Sequence, residues 1–329
     1  MNTGLRSTTF AAALAATFGA AYGVGQGVGP VVADSPPKHG DEHGRPPQEQ
    51  SEGGGHSGHD TPPAGGLQIA EGGYTLDLET PRVTAGRPAD LRFTVRDTGG
   101  RALTAYQREH DKELHLIVAS RDLVTYRHLH PTRAADGTWS TPLELPRAGG
   151  YRVFADFTPA KDSPAKRSPA KENAENITLG ADLAASGPYE ARELPPASTT
   201  ARINGYDVKL AGALHPGKAS ELKLKVSRDG KPVTDLQRYL GAYGHLVALR
   251  SGDLAYLHVH PNGEPGDPAT RPGPDISFTA TAPSSGAYRL FLDFKHDGKV
   301  HTAAFTVRAG GAAADSGTPG GHAEDAHGH

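Results

Sequence analysis

Six histidines stand in two matched sets, His115-x12-His128-x-His130-Pro131 and His245-x12-His258-x-His260-Pro261, each with a tyrosine (Tyr126, Tyr256) two residues before its middle histidine. Neutral imidazole is a ligand for borderline divalent ions, which take three or four such donors, so the chemistry these sets suggest is capture of Zn²⁺ or Cu(II). The chain has 17 histidines, no cysteine and one methionine, the initiator. A thiolate site, a disulfide framework and a thioether Cu(I) site are thereby excluded.

The spacing predicts a hairpin in each set. A loop from Ser120 to Leu123 joins strands 113–119 and 124–130 and puts His115 opposite His128, and a loop from Arg250 to Asp253 puts His245 opposite His258. Opposed side chains have Cβ atoms about 4.5–5.5 Å apart, and i,i+2 neighbours share a face, so His130 and His260 join their sets. Each repeat is thus expected to carry its own three-histidine site. Asp156 and Asp293 end apolar strands and are candidates for a fourth ligand or for orienting an imidazole through its second N–H, though they could equally cap a loop or pair with Arg152 and Arg289. His110 adds to the first set only, because Leu240 occupies its place in the second, and His215, His296 and His301, which have no counterparts, are expected at the surface. The competing reading makes all these histidines buried, neutral and structural.

The elements that must position them are also duplicated. Besides the histidine blocks, Tyr151-Arg-Val-Phe-Ala-Asp156-Phe157 matches Tyr288-Arg-Leu-Phe-Leu-Asp293-Phe294, and Gly100-Arg-Ala-Leu-Thr matches Gly230-Lys-Pro-Val-Thr. Period-two alternation in Ala89–Val95 and Ser220–Val226, with Gly, Pro and Asp breaking the chain at short intervals, predicts an all-β fold. The expected architecture is two tandem immunoglobulin-like antiparallel β-sandwiches, residues 67–185 and 197–308, joined by a linker over 186–196.

Outside them, Thr8–Val32 lacks charge and reads as an export signal, with Val31-Val32-Ala33 as a cleavage pattern, or as an uncleaved membrane anchor, within residues 1–33. Residues 34–66 and 309–329 are His-, Pro- and Gly-rich and too poor in large apolar residues to offset ordering entropy, so a disordered tether and tail are expected. They carry His39, His43, His56, His59, His322, His327 and His329, which suit weak, diffuse metal capture. The doubled Ser-Pro-Ala-Lys unit after Thr158 is expected to be an exposed loop. A net charge of −3 gives no basic face for nucleic acid.

The blocks HDKELHLIV, YRHLHP and YRVFADF together resemble exported actinobacterial proteins that are sometimes linked to heavy-metal handling, and the shape is similar to extracytoplasmic copper carriers of the CopC or YtkA-like kind. That resemblance implies an extracytoplasmic metal-binding protein, with an envelope transporter or acceptor as partner. Gly252-x5-His258-x-His260-x3-Glu264 resembles the first metal motif of the cupins, which implies a metalloenzyme. The second cupin motif is absent, however, and the first repeat has Ala134 where Glu264 stands. No phosphate loop or nucleophile elbow is present. The expected function is therefore non-enzymatic binding of a divalent metal, and the alternative is a structural or interaction module of the cell envelope.

Overall fold

The computed structural model describes residues 64–160, 175–257, 259–263 and 267–310, with the backbone alone of His260. The export segment, nearly all of the tether, the Ser-Pro-Ala-Lys loop, His258, Glu264 and the His-rich tail lie outside the described residues. What is described belongs to one compact unit, Ser57–His329.

The chain folds as strands throughout. The first repeat contains β1 (Ala70–Glu71), β2 (Tyr74–Leu78), β3 (Arg82–Thr84), β4 (Ala89–Asp97), β5 (His115–Ser120), β6 (Tyr126–Leu129), β7 (Thr132–Arg133), β8 (Thr138–Leu143), β9 (Gly149–Phe157) and β10 (Ile177–Ser186). The second contains β11 (Thr200–Ile203), β12 (Tyr206–Ala211), β13 (Ala219–Arg228), β14 (Lys231–Pro232), β15 (Gly244–Arg250), β16 (Tyr256–Leu257), β17 (Val259–Pro261), β18 (Asp275–Thr281), β19 (Gly286–His296) and β20 (Lys299–Ala309). Each repeat is two sheets: β1-β2-β4-β8-β7 with β3-β10-β9-β5-β6, and β11-β12-β13-β18-β17 with β16-β15-β19-β20. This resembles tandem immunoglobulin-like domains. Pairing is antiparallel except that β3 runs parallel to β10.

Alternation sets the outer sheets. β13 reads ASELKLKVSR with every second residue buried up to Val226, so one face is solvated and the other meets a core that includes Leu222, Leu224, Phe278 and Phe305. The first repeat has a matching core around Leu91, Phe93, Trp139 and Tyr151. A tyrosine at the start of the equivalent strands β9 and β19 reaches back in both: Tyr151 Oη donates to the Arg147 carbonyl and Tyr288 Oη to the Ser284 carbonyl, each at 2.8 Å. Such tyrosine corners are a hallmark of immunoglobulin-like sandwiches.

The other two sheets behave differently. β5, HLIVAS, is buried at all six positions, as a strand covered on both faces must be. Leu116 and Val118 point into the first core, whereas Ile117 and Ala119 join Tyr126 and Phe154 on the opposite face, against Val247, Leu249, Leu254 and Phe291 of the second repeat. The sandwiches therefore dock face to face through β5-β6-β9 and β15-β16-β19. The contact is nearly two-fold symmetric. Tyr126 stacks on Phe291 (ring centres 4.0 Å, planes 7° apart), and the equivalent Tyr256 lies 5.7 Å from the equivalent Phe154.

Candidate metal centre

The hairpin of the first repeat pairs Leu116 with Leu129, Ile117 with His128, Val118 with Arg127 and Ala119 with Tyr126. This corrects the expected register by two residues: His128 stands opposite Ile117, not His115. The four-residue turn is shifted by one position along the chain, to 121–124: Leu123 adopts a left-handed conformation (φ 56°) and is buried, while Ser120 and Thr125 close the loop through Ser120 N–H to the Thr125 carbonyl, 2.9 Å. Asp122 holds it by accepting from Val124 N–H. A shift of two preserves side-chain parity, so His115, His128 and His130 still share a face. That face is the one turned toward the second repeat.

His115, His128 and His130 each offer a ring nitrogen, all within 4.8 Å of one another. The ring centres are 5.4, 5.5 and 4.8 Å apart. An ion bound at about 2.0–2.1 Å by three imidazoles in tetrahedral directions puts ring centres roughly 5 Å apart.

Hydrogen bonding assigns the lone pairs. His115 Nε2 lies 3.2 Å from the Glu109 carbonyl, and a carbonyl can only accept, so Nε2 carries the proton and Nδ1 the lone pair. His128 Nδ1 lies 2.8 Å from Asp293 Oδ2, so Nδ1 carries a proton, and in the neutral ring Nε2 holds the lone pair. Yet His115 Nδ1 and His128 Nε2 sit 3.1 Å apart. A proton on His128 Nε2, which the buried Asp293 carboxylate would stabilise, or a metal ion between the two nitrogens satisfies this pair. His130 Nε2 is buried with no hydrogen-bond partner among the described residues. Ring nitrogens of all three histidines thus converge, and that of His130 brings no hydrogen-bond partner with it.

Electrostatics keep the rings of His115, His130 and His245 neutral. Burial first, then the neighbouring His128, pushes His115 down to about 2 and His130 down to about 3. Burial lowers His245 to about 4, against the opposing effect of its bond to the Tyr239 carbonyl. A neutral imidazole is the form that ligates a metal.

Of the second set, only His245 has a described side chain. β16 ends at Leu257, and β17 belongs to the other sheet, where the His260 backbone pairs with Thr279. The register here also differs from the expected one, with Ala248 opposite Leu257 and Leu249 opposite Tyr256, and His258 lies outside the described residues. Among the described residues one three-histidine cluster is present, that of the first repeat. His245 lies beside the first repeat's cluster, its ring centre 6.1 Å from His115, 6.2 Å from His128 and 5.1 Å from His110. Asp293 was expected to serve its own repeat. It accepts instead from His128 of the first repeat and from Thr302 at 2.5 Å. Its equivalent Asp156 accepts from Thr178 at 3.0 Å and stands opposite His115 in β9. A cavity of about 350 Å³ lies between the repeats, lined by His110, His115, His128, His245 and Asp156.

His215 is exposed, but His296 and His301 are buried, correcting the expectation that they lie at the surface. His296 bridges the Tyr206 hydroxyl (2.8 Å) and Asp235 (3.0 Å), and His301 packs on Tyr206 and Phe294, so both close the far end of the second core. The docking interface itself was missed. Its signal is present in HLIVA and HLVAL, apolar runs that do not alternate although each follows a histidine.

Residues 68–166 and 201–311 match the pattern of a domain of unknown function, DUF8832. No match is found among functionally curated proteins. Among solved structures, the chain is similar to the Escherichia coli adhesin FdeC (14% identity, 72% of this chain and 64% of that one, TM-score 0.22). It is also similar to a Salmonella α2-macroglobulin (12%, 74% and 15%, 0.24) and to the Yersinia pseudotuberculosis adhesin InvE (11%, 71% and 58%, 0.19). The chain spans less than two thirds of the length of each of these.

Proposed function

Because the chain belongs to this family of unknown function, matched twice over more than half its length, we propose its role from the site alone: non-enzymatic binding of a divalent transition metal, Zn²⁺ or Cu(II), for buffering or resistance. The observation that carries the reading is the convergence of one ring nitrogen from each of His115, His128 and His130 within 4.8 Å, with buried His130 Nε2 left without a hydrogen-bond partner among the described residues. An all-imidazole set favours Zn²⁺ and Cu(II) over harder ions. The uncharged Thr8–Val32 segment supports an extracytoplasmic location, anchored or secreted, and the histidines near both ends would raise the local metal concentration. An envelope transporter or acceptor protein is the partner such a carrier needs.

Isothermal titration of the full chain with Zn²⁺ and Cu²⁺ tests this. One tight site is expected above a weak background from the tails, and His128→Ala should remove the tight site alone. Absence of any tight site would return the histidines to a structural role in an envelope interaction module. Tight binding unchanged in the variant would place the ion elsewhere.

A further inference from the structure

We infer that the metal centre is completed across the repeat interface, with His245 as fourth imidazole and Asp293 as positioning residue, so that one ion fastens the two sandwiches together. This rests on the reading that the three-histidine cluster binds metal.

The first repeat supplies three imidazoles and leaves a tetrahedral ion one ligand short. Among the described residues, His245 is the histidine that the second repeat brings to that gap, and its support is equivalent to that of His115. His115 Nε2–H donates to the Glu109 carbonyl, and His245 Nε2–H donates to the Tyr239 carbonyl at 2.8 Å. Glu109 and Tyr239 each precede their histidine by six residues. His245 Nδ1 is thereby left with its lone pair. Its ring centre stands 6.1 and 6.2 Å from those of His115 and His128, roughly 1 Å beyond the spacing four ligands on one ion adopt. The intervening cavity gives the ring room to close that distance.

Asp293 does not reach the ion. Its Oδ2 accepts the His128 Nδ1 proton at 2.8 Å, which fixes the tautomer and aims Nε2 at the cluster. The carboxylate is 2% exposed and is itself held by Thr302. Both contributions come from the second repeat, so the ion cannot be fully coordinated unless the repeats are docked.

The test uses the full chain and three variants. His245→Gln keeps a donor for the Tyr239 carbonyl, Asp293→Asn keeps the shape of the carboxylate, and His215→Ala alters an exposed histidine remote from the cluster. Zinc affinity is measured by competition with a chromophoric chelator, beside the visible spectrum of the Co²⁺-loaded protein, which reports coordination directly. His245→Gln and Asp293→Asn should each weaken zinc binding roughly 10- to 100-fold, His245→Gln should also change the cobalt spectrum, and His215→Ala should match the parent. Wild-type affinity in either of the first two variants would overturn the shared centre while leaving the metal reading intact. If Asp293→Asn does not fold, His245→Gln decides alone. Absence of zinc binding by the parent chain would remove both readings together.

Discussion

His115, His130 and His245 are held uncharged by a burial that the rest of the fold maintains, and pH is the way to expose it. His115, His130 and His245 are held at about 2, 3 and 4 in the folded chain, against an ordinary value of 6.5. Between 6.5 and those values the unfolded chain takes up protons that the folded chain refuses. Stability is therefore full above pH 6.5 and declines as pH falls below it, with each such histidine contributing at most about 1.4 kcal/mol per pH unit. Urea melts of the metal-free protein between pH 8 and pH 5 should show the unfolding free energy falling on the acid side. A flat profile would mean that the cluster accepts protons without unfolding. The residue types and the shared face were legible in the sequence. Tautomers were not, because they depend on the Glu109 carbonyl and on Asp293, which is far away in the chain.

Strand register and docking belong to the scale of elements. Parity along β5 and β6 could be read from spacing, since side chains alternate whatever the pairing, but the pairing itself was set by Leu123 turning inward. The interface offers two tests. A double-mutant cycle on Tyr126→Ala and Phe291→Ala should give a coupling energy of about 0.5–1.5 kcal/mol for the stacked pair; a value near zero would mean that the repeats part easily in solution. Gly66 lies at the edge of the same interface, with φ 72° and an added Cβ only 2.4 Å from the Phe154 ring. Its neighbour Gly65 accepts from Tyr256 N–H at 3.0 Å, tying the segment before β1 to the second repeat. Gly66→Ala should cost about 1–3 kcal/mol in chemical denaturation. A neutral result would show that this segment is not held there.

At the scale of the whole molecule, duplication has produced a pair of sandwiches related by a near two-fold, in which Tyr126 and Phe291 on one side repeat Tyr256 and Phe154 on the other. A ligand bound only by the docked pair stabilises both repeats as one. Zinc at about 100-fold above its dissociation constant should add about 2.7 kcal/mol, seen as a single raised thermal transition. In hydrogen exchange, protection should appear in β15 and β19 as well as in β5 and β6. Protection confined to the first repeat would indicate an ion held by that repeat alone.

From its sequence alone the chain is determined to be an all-β duplication whose histidines fall into matched sets, because period-two patterning and repeated blocks are local properties that survive without knowledge of distant contacts. The absence of cysteine and of internal methionine likewise restricts any bound metal to imidazole and oxygen donors. Only the tertiary structure decided that the described cluster faces the second repeat, since burial of a second sheet face depends on what packs against it. For the same reason Asp293 turned out to serve His128, a partner 165 residues away: hydrogen bonds follow proximity in space, and the docking of two sandwiches brings together residues that no spacing rule connects.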